Sequence, residues 1–598
     1  MMKQSCRLLF AITILCLSTG LTAQSQAGNK SQCSYTQVTS GLAYPEFEKG
    51  RTDFAIDDIN MDGHPDLLSI GDHGSPNFNS DQHGIMVWFG DGQGNFSNHM
   101  NGNFGYGGIA VGDVNNDGLK DVGYGMHHNY SGSSFGDQLI EVALGDGSGM
   151  NWTPWDEGLA TNGESWGMFG TAFADFNNNG YLDLVSTAFG CCAGIHVYLN
   201  QTDGSWEQSY GFLGGNSGMI VRACDIDNDG NMDFIANHQS GAAYFGDGNG
   251  GFIIRDAGLP ANASLTGFDI GDVNNNGSTG LSYVNSGGGI EVYDWNRESM
   301  KWDHYSGNLP ATGPYQVTQL FDMNSNGFTD VLAYGKQQFQ LWLGDGTGNW
   351  TADAGFTIAG DPGNGRAIRT GGDFDNNGFP DLVILNQELS GGWVQFEQNK
   401  LYVFFEDTEA DSLSIMAHQP VGHERFHAGS VRFIEWISAV PGNTPSAVGI
   451  DISASGPAGP WTTIAEDLPN NGRHQWTVTN IDSEDCFLRL RVTSAGNTAS
   501  SITQHAFTII GGPVSLNPLP AADDATVSLL PNPGKDHVLL SSNREIMMIA
   551  MYDMSGKKVM ETENPGKRLF TGALPPGFYF YRVLLESGEV RSGKWLRK

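Results

Sequence analysis

The sequence predicts an all-β protein: a seven-bladed β-propeller, then an immunoglobulin- or fibronectin-III-like β-sandwich, then a small C-terminal β-sandwich. Three observations predict it. An Asp/Asn/Gly-rich nonapeptide recurs seven times in the first 381 residues, at spacings of 55, 62, 50, 47, 50 and 51. Glycine is very frequent, 83 of 598 residues, and its clusters bound short apolar runs rich in Val, Phe, Tyr and Trp. Seven further strand-like runs, separated by turn residues, fill residues 412–511.

The chain opens on a secretory-signal pattern, residues 1–23. "MMKQSCR" is the positive region, "LLFAITILCLSTGL" the apolar core and Leu21-Thr22-Ala23 a small-residue cleavage context. That core is too short for a comfortable membrane span, and no later stretch reaches spanning length. The mature chain is therefore expected to be exported. Acids outnumber bases 66 to 30, a net charge of -36, which argues against a nucleic-acid partner. Five cysteines follow the cleavage context: Cys33, Cys191, Cys192, Cys224 and Cys486. So few in so long a chain are not the main scaffold. Cys191 and Cys192 are adjacent, so a strained vicinal disulfide or two thiols are both open.

Residues 34–411 carry the repeat. The nonapeptides begin at Asp58 ("DINMDGHPD"), Asp113, Asp175, Asp225, Asp272, Asp322 and Asp373. A short apolar stretch precedes each copy and another follows. In four units a strand then closes on a turn such as "VWFGDGQGNF". Each unit is thus about four strands in roughly 50 residues, the size of a propeller blade. "CSYTQVTSGL", ahead of the first copy, resembles an outer strand and can latch the last blade, removing exposed edges.

Side-chain oxygens recur at positions 1, 3, 5 and 9 of the nonapeptide, with glycine at 6. Alternate oxygens curl around a hard cation only where the chain turns sharply, which glycine permits. The backbone carbonyl of position 7 completes the shell, and a flexible all-oxygen cage suits Ca²⁺ better than Mg²⁺. The expected ligands are Asp58, Asn60, Asp62, His64 and Asp66; Asp113, Asn115, Asp117, Leu119 and Asp121; and Asp175, Asn177, Asn179, Tyr181 and Asp183. Next come Asp225, Asp227, Asp229, Asn231 and Asp233, a four-carboxylate loop and the strongest site by charge count. Asp272, Asn274 and Asn276 follow in a loop that ends in Gly280, so its occupancy is doubtful on ligand count. Asp322, Asn324, Asn326, Phe328 and Asp330, then Asp373, Asp375, Asn377, Phe379 and Asp381, close the series. His64, Leu119, Tyr181, Asn231, Phe328 and Phe379 contribute as position-7 carbonyls. An Asx-rich hairpin needing no metal is the alternative for any single copy.

These repeats resemble the FG-GAP/VCBS repeats of integrin alpha-chain propellers and of bacterial surface proteins. The resemblance implies several structural calcium ions on one face of the ring and partners on the opposite face. The loops expected on that opposite face carry His73, His83, His127, His128 and His238. Trp166, Tyr315 and Arg366 precede inner strands and are expected there too. Aromatic planes with polar neighbours suit a sugar or peptide. Ordinary polar loops are the alternative, since no two blades share a pocket motif; a histidine zinc site is a third possibility.

Residues 412–511 contain "GHERFHAGS", the spelling of a zinc-protease helix. Pro420, Gly422 and Gly429 bracket it within ten residues, and a strand follows at once, so no helix can form around it. The stretch resembles instead the first-strand signature of sandwich modules in exported bacterial proteins, here read as a spacer. Residues 512–525 form a Pro/Ala/Asp linker. Residues 526–598, with 11 Lys/Arg against 7 Asp/Glu, resemble the C-terminal sorting domain of type IX secretion cargo. Pro531-Asn532-Pro533, Asp553, Gly556 and Gly577-Phe578-Tyr579 carry that resemblance, which implies the type IX secretion machinery as partner and passage through a Gram-negative outer membrane. Released and surface-attached forms both remain open.

The resulting expectation is an exported, calcium-stabilised propeller that binds carbohydrate or a surface protein and is more a binder than an enzyme. Two alternatives stand beside it: a lyase-like enzyme on extracellular polysaccharide, and a structural surface component. No convergent acid/base pair stands out from the aspartates assigned to calcium.

Overall fold

The computed structural model describes residues 32–38, 40–42, 53–71, 84–102, 104–105, 107–126, 129, 134–164, 167–188, 194–212, 214–215, 217–260, 266–358, 364–389, 397–511, 527–530, 537–542, 546–552, 557–563, 565, 568–585 and 590–598. Seven four-stranded antiparallel sheets follow one another along the chain. Blade 1 runs from Ala55–Asp57 to Phe96–Asn101, blade 2 from Ile109–Gly112 to Trp152–Pro154, and blade 3 from Met168–Ala174 to Trp206–Phe212. Blade 4 spans Ser217–Cys224 to Phe252–Ile254, blade 5 Thr266–Gly271 to Lys301–His304, and blade 6 Val317–Phe321 to Trp350–Thr357. Blade 7 contains Asn364–Arg369, Leu382–Leu389 and Glu397–Glu406, and its outer strand is Tyr35–Val38 from the N-terminal side. Tyr35 pairs with Glu406 and Val38 with Val403, so the expected latch is present.

Ring closure follows from where the apolar side chains go. Both faces of a middle strand such as Asp66–Ile70 are buried, because a blade is covered by a neighbour on each side. Seven apolar clusters result, one per seam. Leu68 and Val87 meet Val111 and Tyr124 between blades 1 and 2. Phe54 and Trp88 meet Val383 and Val403 between blades 7 and 1, which shuts the ring. On the axis, the innermost strands of four blades exchange charge. Asp53, just ahead of blade 1, accepts from Arg222 of blade 4 at 3.0 Å and from Arg369 of blade 7. Arg222 also reaches Asp269 of blade 5 at 3.2 Å. Blades this far apart in sequence share four side chains only if they surround a common centre.

The sandwich that follows the ring has the expected two layers. Ser414–Gln419, Val431–Ala439 and Arg473–Thr477 form one sheet; a larger sheet is built around Ser446–Ser453, Ser483–Ser494 and Phe507–Ile510. Ile434, Trp436, Ile450, Trp476 and Leu490 fill the space between them. The HERFH stretch is turn and strand: His423 sits at φ 76°, and Arg425–His427 runs parallel to Phe507–Ile510. Glu424 accepts the N–H groups of Val421 and Gly422, both at 2.7 Å, which explains a glutamate after glycine at this bend.

The sequence reading of this module as a spacer is corrected by its position. It forms one compact unit with the ring and packs directly on the face that carries the nonapeptides. Polar side chains of its strands are spent there: Arg473 donates to Asp57 at 2.8 Å, Gln475 to the Asp113 carbonyl at 2.8 Å, and Arg432 to the Gly230 carbonyl at 2.5 Å.

The C-terminal unit is a separate compact body of two sheets, Val527–Leu530, His537–Ser542 and Arg568–Phe570 against four strands ending in Val590–Arg597. Ile549, Val583, Tyr581 and Trp595 are buried between them. No helix of the described residues is long and apolar enough to cross a membrane. The signal pattern, the linker residues 512–525, Pro531-Asn532-Pro533, Asp553 and Gly556 lie outside the described residues.

Candidate metal centres and the opposite face

Each nonapeptide joins the first two strands of its blade through the same bend. Position 1 accepts the N–H groups of positions 5 and 6: Asp58 takes Asp62 at 3.0 Å and Gly63 at 2.9 Å. Glycine at position 6 lies at φ 79° to 95° in all seven copies, a region costly for other residues. Position 4 is left-handed too, at φ 52° to 58°, and in five copies it is asparagine, which tolerates that region.

Position 4 has a role that ligand counting missed. Asn116 donates to the Gly180 carbonyl of the next loop at 2.9 Å, Asn178 to Asn231 at 2.9 Å, and Asn275 to the Gly327 carbonyl at 2.6 Å. These residues clasp neighbouring blades. At blades 4 and 7 the same position turns to the sandwich: Asn228 donates to the His423 carbonyl and Asn376 to Asn443. The visible signal was an asparagine recurring where no ligand was needed.

Position 9 is tied into the backbone of its own blade. Asp66 accepts Ile59 N–H at 3.0 Å and Gly90 N–H of the third strand at 2.9 Å; Asp121, Asp183, Asp233, Asp330 and Asp381 repeat the arrangement. All six are buried. Burial, with Asp58 nearby, raises the Asp66 carboxyl to about 8; burial raises Asp121 likewise to about 8 and Asp58 to about 6. Each carboxylate is thus held out of water beside others of its own sign.

That environment fits a divalent cation bound through oxygens. Carboxylate oxygens of Asp225, Asp227 and Asp229 lie within 4.8 Å of one another, as do those of Asp373, Asp375 and Asp381. The two clusters differ in their cationic neighbours. Arg255 donates to Asp227 at 3.0 Å, and buried Arg432 lies among Asp175 of the blade 3 loop and Asp225, Asp229 and Asp233 of blade 4, so cationic side chains partly offset the four-carboxylate loop. No such cation pairs with the Asp373, Asp375 and Asp381 cluster among the described residues. The sandwich also touches position 1 directly, through Asn471 to Asp58 at 3.2 Å and Val431 N–H to Asp175 at 2.9 Å. Between ring and sandwich lies a cavity of about 530 Å³, lined by Asp269, Gln319, Thr370, His418, Arg432 and Glu435.

On the opposite face, His73, His83, His127, His128, Trp166, Cys191 and Cys192 lie outside the described residues, and Arg366 is described only as part of strand Asn364–Arg369. The two remaining candidates serve the fold. His238 ends the second strand of its blade, among the connections of this face, but it is only 7% exposed and its ring is engaged by the backbone. A two-residue turn follows it, Nδ1 accepts Ser240 N–H at 2.9 Å, and Nε2 donates to the Gly214 carbonyl at 3.0 Å. Tyr315 is half-buried, edge-on to Trp342 at 5.4 Å. Cys33, Cys224 and Cys486 form no disulfide among the described residues.

Fold and loops together define a seven-bladed propeller of the Asx-bend repeat type, with a sandwich seated on its bend-bearing face. Residues 58–124 and 322–384 match the FG-GAP-like repeat, and residues 528–595 match the secretion system C-terminal sorting domain. The chain is an exported surface β-propeller protein, directed by a type IX sorting domain to the cell surface or exterior. No curated protein matches it in sequence. Among solved structures it is similar to an extracellular domain described as that of a one-component system from B. thetaiotaomicron, at 9% identity and TM-score 0.35. That match covers 81% of this chain and 60% of the other, so this chain spans less than two thirds of that relative. NanB sialidase from Streptococcus pneumoniae matches at 10% identity over 63% of this chain and 71% of its own, TM-score 0.33. The SapL1 lectin in complex with alpha methyl fucoside matches at 12% over 54% and 100%, TM-score 0.31. Likenesses this weak carry no weight for function.

Proposed function

We propose that this chain is a surface binding module: a calcium-clipped ring that presents the loops opposite its nonapeptides to a carbohydrate or a surface protein. The observation that carries the reading is the seat of the sandwich. It covers the bend-bearing face with Arg432, Arg473, Asn471 and Gln475, so the acidic bends are committed to intramolecular contacts. The connections between blades on the other side touch no sandwich residue among the described ones. Function on a shared fold lies in such variable loops. Calcium would act at a distance from the ligand, holding the first two strands of each blade together.

Glycan-array and surface-protein binding of the full chain, with calcium and with EDTA, tests the proposal. Retention of one ligand class that falls when calcium is withdrawn supports it. Release of soluble products from a polysaccharide would replace it with an enzymatic reading, and no binding in any format would leave a structural role.

A further inference from the structure

Blade 5 breaks the nonapeptide rule. Its copy, beginning at Asp272, has Gly280 where the other six have a buried aspartate. In those six blades the residue across the sheet from that aspartate, on the third strand, is apolar. The register places Phe89, Leu144, Leu199, Phe245, Leu343 and Phe405 there. Blade 5 reverses the pair. Leu281 faces Tyr293, so one step along the antiparallel register Gly280 faces Asp294. The carboxylate missing from the second strand stands on the third, directly opposite the gap.

Its side chain is aimed into the bend. Asp294 is 5% exposed, and its Oδ2 accepts from Asn274 at 2.8 Å and Asn276 at 3.1 Å, the residues at positions 3 and 5. Asp294 Oδ1 and Asn274 Oδ1 are buried with no hydrogen-bond partner. The bend itself is intact: Asp272 accepts Asn276 N–H at 3.2 Å and Gly277 N–H at 2.8 Å, as Asp58 does in blade 1. An asparagine amide pointing at a carboxylate is what other bends show as well; Asn60 donates to Asp62 and Asn115 to Asp117, each at 2.9 Å. Rotating such amides turns their oxygens inward, giving the hard donors a divalent cation takes. Across the sheet, Asp303 is paired with Asn296 at 2.8 Å, so it does not compete for this role.

We infer that blade 5 holds a divalent cation through a rewired ligand set, Asp272, Asn274, Asn276 and Asp294, with Asp294 replacing the ninth residue of the bend. The inference rests on the calcium reading of the other loops and extends it to the copy that its ligand count left in doubt. It also specifies the chemistry: two carboxylates and two amide oxygens, a site of lower charge than the three-carboxylate loops and so of lower calcium affinity.

The test is calcium stoichiometry of the full chain by equilibrium dialysis with elemental analysis, on the wild type, Asp294→Asn and Asp303→Asn. One ion fewer in Asp294→Asn, with Asp303→Asn unchanged, is expected. Equal numbers in wild type and Asp294→Asn overturn the inference while leaving the other sites standing. A wild type that binds no calcium at millimolar concentration overturns the broader reading and this one with it. Should Asp294→Asn not fold, Asn274→Asp adds a third carboxylate to the bend. At least tenfold tighter binding at one site is then expected, and unchanged affinity at every site overturns the assignment.

Discussion

Asp53 at the ring axis offers the sharpest test of closure. It sits between Arg222 and Arg369, with 11% of its side chain exposed and 18% and 14% of theirs. Asp269 balances the second guanidinium, so the four groups sum to zero charge. Asp53→Asn keeps the shape and leaves one arginine unmatched. Removing one partner of a buried pair costs about 3–5 kcal/mol, and the residual exposure here places the expectation near the lower end, about 3 kcal/mol. For a ring of roughly 370 residues, unfolding entropy near 2.1 cal/mol/K per residue converts this to a fall in Tm of about 4 °C. The assay is scanning calorimetry in saturating calcium, on Asp53→Asn, Arg369→Gln and the double variant. Removing both members restores neutrality, so the double variant should fall short of the summed single effects by more than about 1 kcal/mol. Full additivity would refute the claim that blades 1, 4 and 7 meet at one centre.

Deleting the chain through Val38 should expose Glu397–Glu406 as an unpaired edge and produce concentration-dependent oligomers in light scattering; a stable monomer would speak against the latch. Trp88→Ala, at 0% exposure in the seam that closes the ring, should cost about 3–5 kcal/mol in calorimetry, and a change below about 1 kcal/mol would contradict the packing. EDTA should lower Tm strongly, since a single site filled at a hundredfold its Kd contributes about 2.7 kcal/mol; an unchanged Tm would argue against bound calcium. His418, half-buried and stacked on Phe321 at 3.7 Å, has its pKa lowered by burial to about 4. The unfolded chain then binds the extra proton first, so this group's contribution is intact above about pH 6.5 and is lost progressively toward pH 4. His418→Phe should therefore gain stability relative to wild type between pH 6.5 and 4, by at most about 1.4 kcal/mol per pH unit; parallel pH profiles would refute it.

Much of the fold was legible because its causes are local. Asp58, Gly63 and Asp66 lie within nine residues, and the bend they make needs nothing from elsewhere, so seven copies announce seven blades. The latch was legible for a similar reason: "SYTQV" reads as a strand with no blade of its own. What was hidden depends on pairs far apart in the chain. Arg473 and Asp57 are 416 positions apart, and neither residue type signals the other, so a module readable as a sandwich could not be seen to sit on the nonapeptides. Asp294 was hidden differently. It is an unremarked aspartate in a strand until the register sets it opposite Gly280. His238 looked like a rim ligand because its loop is short and polar, yet that shortness is why the ring folds back onto Ser240.

The charge of the chain takes on a different meaning once the sandwich is in place. A net of -36 suggests a surface that repels polyanions and attracts cations or basic partners. Many of those acids point away from solvent, however. Six ninth-position aspartates are buried under backbone N–H groups, Asp57 is enclosed by Lys120 and Arg473, and Asp225 faces Arg432. The acidity is thus partly an internal feature of the bends, where backbone N–H groups and donor side chains of the sandwich meet it. It follows that acidity is a poor guide to the ligand. On the proposed binding reading, recognition would come from stretches whose sequences share no common pattern from blade to blade, not from the acidity of the bends.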